Sequence, residues 1–105
     1  MAKKRTLYRK PTSPGEILFE EFLKPLGLTQ KELADHIGCD YNLINRIVNE
    51  KSRITPDIAL RLSYAFKTTP NFWLNAQIAV DLYSSPAKKE KIPPIHGKHK
   101  TANRR

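Results

Sequence analysis

Residues 29–49 read Thr29-Gln30-Lys31-Glu32-Leu33-Ala34-Asp35-His36-Ile37-Gly38-Cys39-Asp40-Tyr41-Asn42-Leu43-Ile44-Asn45-Arg46-Ile47-Val48-Asn49. Thr29 with Glu32 is a capping box, in which the threonine hydroxyl serves an early helical amide and the glutamate reaches back to the cap. Leu33, Ala34 and Ile37 then recur at helical spacing. Gly38 stands just past them, where a left-handed residue can end a helix at little cost. Asp40 starts the chain again as an N-cap, ahead of Ile44, Ile47 and Val48 on one side of a second helix. Two short helices, expected at 29–37 and 40–49 and joined by a tight glycine-containing turn, have the spacing of a helix-turn-helix.

The same punctuation continues in both directions. Ser13-Pro14-Gly15-Glu16 reads as an N-cap, a proline at the first helical position and a capping-box glutamate. Thr55-Pro56 and Thr69-Pro70 repeat the cap-then-proline signal. Pro25 and Gly27 are expected to close the first helix. The spacing therefore predicts further helices over 14–25, 56–67 and 70–83. Their stripes are Ile17, Leu18, Phe22 and Leu26 on the first, and Ile58, Ala59, Leu62, Ala65 and Phe66 on the fourth. No useful length alternates with period two, so no sheet is expected. The fold class is all-α, a five-helix domain over 13–85. It lies between a basic N-terminal tail (1–12) and a basic C-terminal tail (86–105). Both tails lack apolar periodicity and are expected to be disordered.

A chain of 105 residues fits one small domain plus tails. No apolar run approaches the roughly 20 residues that span a bilayer. No apolar segment follows the basic N-terminus, so a secretory signal is not expected. Cys39 is the only cysteine, which excludes an internal disulfide and fits a reducing cytoplasm. The net charge of +9 suggests a polyanionic partner, but its distribution matters more. Residues 1–10 carry +5 and residues 88–105 carry +6, whereas residues 11–87 carry −2. A duplex-binding face must therefore come from local clustering within the domain. The tails can add sequence-independent, salt-sensitive attraction to phosphate.

The third helix supplies such a cluster. With Ile44, Ile47 and Val48 turned inward, Asn42, Arg46 and Asn49 lie opposite, with Asn45 at the edge. Asparagine suits the adenine edge and arginine the guanine edge in the major groove. The alternative is a plain solvated face. However, surface helices favour Lys and Glu, and three asparagines weaken helix propensity without adding packing. Gln30, in the first turn of the second helix, is placed to meet a phosphate, or is a surface residue beside a cap. Lys51 and Arg53 follow the third helix and could grip flanking phosphates, or simply be solvated.

Several longer segments carry a resemblance. They are Pro14-Gly15-Glu16-Ile17-Leu18, residues 21–30 (EFLKPLGLTQ), residues 44–49 (INRIVN), residues 54–62 (ITPDIALRL) and residues 69–77 (TPNFWLNAQ). Over residues 14–81, about two-thirds of its length, the chain resembles the HigA-type antitoxins of bacterial toxin–antitoxin modules. These are a branch of the phage-repressor-like helix-turn-helix family. The resemblance implies a repressor-like fold and a homodimer bound to double-stranded operator DNA, an inverted repeat, in its own promoter. It also implies neutralisation of a RelE-like, messenger-RNA-cleaving toxin. It places DNA contacts on Gln30, Tyr41, Asn42, Asn45 and Arg46, with Lys51 and Arg53 at the backbone. Two departures stand out. Asn42 and Leu43 replace residues that are often basic in the family, so base preference is expected to differ. Glu50 stands where glycine is common, so either Asn49 takes the left-handed role or the turn differs.

The fifth helix carries Phe72, Trp73, Leu74, Ile78, Ala79, Leu82 and Tyr83, more apolar surface than one contact needs. Phe72, Ala76, Ala79 and Val80 can face the core while Trp73, Gln77 and Asp81 line an adjacent face. Trp73 either caps the core or marks an interface. The helix is the candidate dimer surface, with Trp73, Gln77, Val80 and Asp81 as its residues. Two-fold symmetry would set the two recognition helices ~34 Å apart.

Catalysis has no candidate. His36, His96 and His99 lie on different segments, and Cys39 has no partner at metal-ligand spacing. No glycine-rich phosphate cradle occurs. No metal, cofactor, small-molecule substrate or membrane is expected. Two other readings compete with an operator-binding antitoxin: a stand-alone transcription factor without a toxin, and a protein- or RNA-binding module acting through its basic tails.

Overall fold

The computed structural model describes residues 9–87 and 89–97. Among these residues it is all-α, with five helices. Helix α1 is one helical rod in three segments, Pro14–Ile17, Leu18–Leu23 and Lys24–Leu26. Helix α2 spans Gln30–Ile37, α3 Tyr41–Val48, α4 Pro56–Phe66 and α5 Pro70–Ser84. A short 3₁₀ turn at Lys89–Lys91 interrupts the otherwise irregular tail. The expectation of disordered tails lies, for residues 1–8, 88 and 98–105, outside the described residues.

All five expected caps form. The side chains of Ser13, Thr29, Asp40, Thr55 and Thr69 each accept from an amide two or three residues on. Each removes one of the unsatisfied donors at a helix start, worth about 1 kcal/mol. Thr29 and Glu32 form the reciprocal box, with contacts of 3.0 and 2.9 Å. Gly27 and Gly38 end α1 and α2 in the left-handed region, at φ 66° and 74°.

Pro25 does not close α1. The helix runs one residue past it, and its middle, Leu18–Leu23, widens into a π-helix in which the Lys24 amide donates to the Phe19 carbonyl. In a regular α-helix the Pro25 ring would press on the carbonyl four residues back; a wider turn moves that carbonyl away. The widening also changes which residues face inward. Leu18 and Leu23, five apart, are both buried, whereas Leu26, expected on the stripe, is 60% exposed.

The core collects Leu18 and Leu23 from α1, Leu33, Ala34 and Ile37 from α2, and Ile44 and Ile47 from α3. Ile54 joins from the following loop, with Ile58, Ala59 and Leu62 from α4 and Trp73 from α5. One approach is closer than side-chain packing allows. A Cβ on Gly15 would overlap the Ile47 carbonyl oxygen and lie 2.8 Å from its carbon and 3.0 Å from the Val48 Cα. The first turn of α1 therefore rests directly on the backbone of α3. Gly15→Ala is expected to force the two helices apart and cost about 1–3 kcal/mol, read as a lower thermal midpoint. Gly27→Ala, which meets nothing within 4 Å, is the control for left-handed strain alone.

Candidate nucleic-acid interface

The helix-turn-helix is fixed from both sides. At the turn, the Cys39 amide donates to the Ala34 carbonyl at 3.0 Å, and Asp40 restarts the chain as the cap of α3. From behind, Arg61 on α4 donates through Nη1 to the Ile37 carbonyl at 2.7 Å and the Gly38 carbonyl at 3.3 Å. Its Nε meets Asp57 at 2.9 Å. A guanidinium on the last carbonyls of α2 satisfies acceptors that the helix cannot satisfy itself. Burial pushes the Cys39 thiol above its usual range, so it stays protonated and a weak nucleophile at neutral pH.

With Ile44 and Ile47 buried, α3 presents Tyr41, Asn42, Arg46 and Asn49 to solvent, with Asn45 half-buried. Asn45 is at the centre of a polar chain. Its Nδ2 donates to Oε1 of Gln30, on α2, at 2.9 Å. Asn49 Nδ2 in turn donates to the Asn45 carbonyl at 2.9 Å and approaches Asn45 Oδ1 at 3.4 Å. The sequence placed Gln30 and Asn45 on separate helices; the turn brings them together as one amide platform. Arg46 is anchored by its Nε, which donates to Ser52 Oγ at 3.1 Å, so its two terminal nitrogens remain as donors. Amides and a guanidinium held by neighbours can read base edges with little ordering cost.

The departure at position 50 resolves simply. Glu50 itself takes the left-handed conformation, at φ 61°, while Asn49 stays at φ −91°. The Lys51 amide donates to the Arg46 carbonyl at 2.7 Å and the Glu50 amide to the Ile47 carbonyl at 3.0 Å, which is a Schellman motif without its glycine. Lys51 is exposed beside it. Arg53 is exposed but engaged: its Nη1 lies 2.8 and 2.7 Å from the two Asp81 oxygens. Hydrogen bonds from Arg53 and Gln77 hold the Asp81 carboxyl below the usual carboxylate range, so the pair persists at neutral pH.

Two of the four expected dimer residues, Trp73 and Gln77, need correction. Trp73 is fully buried, and its Nε1 donates to Thr68 Oγ1 at 2.8 Å. Gln77 is buried as well. Its Oε1 accepts from the Ile54 amide at 2.9 Å and its Nε2 donates to Asp81 at 3.0 Å. Neither offers its side chain to a second copy. Phe72, expected inward, is 40% exposed. Helix α5 is rotated from the expected facing because an indole N–H and a loop amide each need a buried partner. Val80 and Asp81 are half-buried, and the outer face carries Ile78, Leu82 and Tyr83.

Comparison with known proteins agrees with this fold. A family model described as helix-turn-helix matches residues 19–73. Antitoxin HigA-1 of Vibrio cholerae is 42% identical over 81 residues, covering 77% of this chain and 76% of that protein. The chain belongs to the HigA-type helix-turn-helix family. An HTH-type transcriptional regulator of Haemophilus influenzae is 52% identical over 75 residues, covering 71% of this chain and 70% of the relative. The crystal structure of PA4674 from Pseudomonas aeruginosa in complex with its 18-bp operator DNA superposes with a TM-score of 0.77. It is 32% identical, covering 81% of this chain and 97% of that one. Family membership identifies a transcriptional-regulator fold rather than a catalyst. Among the described residues, no helix is long and apolar enough to cross a membrane.

Three supports of this exposed face escaped the sequence reading. Arg61 was given no role, although Asp57 four residues earlier was a signal of an ordered side chain. Ser52 lay in an unremarkable loop. Gln77, taken for an interface residue, instead fastens the loop after α3 to α5.

Proposed function

We propose that this HigA-type chain is an autorepressing antitoxin. Two copies bind an inverted-repeat operator in their own promoter, and the same protein neutralises a RelE-like messenger-RNA-cleaving toxin in the cytoplasm. The observation that carries the DNA reading is the joined platform of Gln30, Asn45 and Asn49 beside the anchored Arg46, on an exposed helix face. Tyr41 and Asn42 extend that face, and the exposed Lys51 and Arg53 on the loop after it are the residues we assign to the flanking phosphates. The likeness to a regulator solved on its operator supports the same docking.

The two copies meet through the outer face of α5. Asp81 is the helix's only charged residue and is already paired, which leaves Ile78, Leu82 and Tyr83 as an uncharged apolar stripe edged by Val80. Identity to an antitoxin supports the toxin reading. The domain boundaries follow: residues 13–85 bind DNA and dimerise, between the basic tails at 1–12 and 86–105.

A nuclease footprint on the DNA upstream of the chain's own gene tests the reading. Two protected half-sites about 10 bp apart, centre to centre, are expected. Protection without sequence preference would instead favour binding through the basic tails. Co-purification with the protein encoded beside it, and rescue of growth when that protein is expressed, test the antitoxin role.

A further inference from the structure

The loop after α3 carries the exposed cations Lys51 and Arg53, yet it is mounted on α5. The Ile54 amide can only donate, so the Gln77 atom 2.9 Å from it is the carbonyl oxygen. The Gln77 amino group then needs an acceptor, and it meets Asp81 Oδ1 at 3.0 Å, one turn further along the helix. Asp81 also takes the Arg53 guanidinium, at 2.8 Å to Oδ1 and 2.7 Å to Oδ2. One backbone amide thus fixes the direction of every bond in the chain. Gln77 is buried, where an unpaired amide would be costly. Two consecutive loop residues, Arg53 and Ile54, are held by two residues on one face of α5.

The arrangement works against simple attraction for DNA. Asp81 is the one charged residue of α5, and it offsets the charge of a cation just beyond the recognition helix. Non-specific affinity rests on uncompensated cations, so Asp81 lowers it. What the carboxylate supplies is geometry. Both of its oxygens bond to one guanidinium nitrogen, Nη1, which leaves Nε and Nη2 as donors among the described residues. An arginine held in this way has already given up side-chain freedom that a phosphate contact would otherwise remove.

Building on the operator-binding reading, we propose that Asp81, with Gln77 behind it, is a positioning residue for DNA recognition. It aims Arg53 from α5 at a phosphate flanking the half-site, while lowering attraction for DNA in general. In that reading the outer face of α5 joins the two copies. The two arginines are therefore mounted on the helices that form the dimer rather than on α3, and their separation is set when the dimer forms. Phosphate contacts at a fixed separation hold the recognition helices in register without reading bases.

Operator preference is the ratio of affinities for the duplex upstream of the chain's own gene and for unrelated duplex. It is measured for the full-length protein, Asp81→Asn, Arg53→Gln and the double variant. Asp81→Asn should bind unrelated DNA more tightly, with a salt slope steeper by up to ~0.9 per protomer, as Arg53 becomes an uncompensated cation. Its operator preference should fall roughly two- to tenfold per protomer, the effect of ordering one long side chain in advance. Arg53→Gln should lower the preference too. In that background Asp81→Asn should lower it no further, because the carboxylate acts through the arginine. The thermal midpoint should move little, since the pair is exposed. An equal fall in both backgrounds, or none in either, would overturn the positioning role. So would an Arg53→Gln protein with unaltered preference and slope. Failure of the unaltered protein to prefer its own duplex would instead sink the operator reading itself.

Discussion

The triple substitution Asn42→Ala, Asn45→Ala and Arg46→Ala is expected to abolish the operator footprint while leaving the protein folded. A bidentate contact to a base edge contributes about 1–3 kcal/mol of discrimination. Three such contacts in each of two half-sites are together of the size that separates specific from non-specific binding, about 10³–10⁷ in affinity. Residual binding should therefore match that to unrelated DNA and keep a steep salt dependence. Stability should change little, because Asn42 and Arg46 are exposed and alanine is the better helix former at each position. Against that gain stands the lost hydrogen bond from Asn45 to Gln30, worth about 0.5–1.5 kcal/mol. Protection of the same bases by the triple variant would refute the assignment of α3 as the recognition helix.

Trp73→Ala is the second large effect, and it should act on the fold rather than selectively on the dimer. The indole is completely buried and sits among three phenylalanines, with ring centroids 5.2 Å from Phe22, 6.4 Å from Phe66 and 5.0 Å from Phe72. Truncating a buried tryptophan to alanine costs about 3–5 kcal/mol, and here it also leaves Thr68 without its donor. For a domain of this size each kcal/mol moves the midpoint by about 4–8 °C, so a fall of at least about 12 °C is expected. Leu82→Glu is the informative contrast. Leu82 is 71% exposed, so the melting of the isolated protomer should hold while sedimentation shifts from dimer to monomer. If Trp73→Ala instead melted normally and only dissociated the dimer, the packing described for α5 would be wrong.

The five helix starts were legible because capping is local: a hydroxyl or carboxylate serves an amide two or three residues away, and no distant contact is required. The same holds for Gly27 and Gly38, since left-handed backbone is a property of one residue. Periodicity then identified the buried faces of α2, α3 and α4, and by subtraction the polar face of α3. The resemblance to HigA-type antitoxins rested on that same linear information. Periodicity misjudged α1 and α5 for identifiable reasons. In α1 a π-turn ahead of Pro25 shifts the phase, exchanging Leu26 for Leu23 in the core. In α5 apolar residues surround most of the helix, so hydrophobicity alone could not decide its rotation.

By itself, then, the sequence determined the number, order and caps of the helices, the helix-turn-helix spacing, and the residue types available to meet DNA. Tertiary structure decided what those residues do before any partner arrives. It joined Gln30 to Asn45 across the turn, tied Arg46 to Ser52, engaged Arg53 with Asp81, and turned Trp73 and Gln77 inward. It also set the start of α1 against the end of α3, bringing Lys10 to Glu50. The division follows from range. Caps and periodicity are short-range and are written along the chain. The pairing of polar side chains depends on which helices meet and at what rotation, and that is fixed only when the core closes.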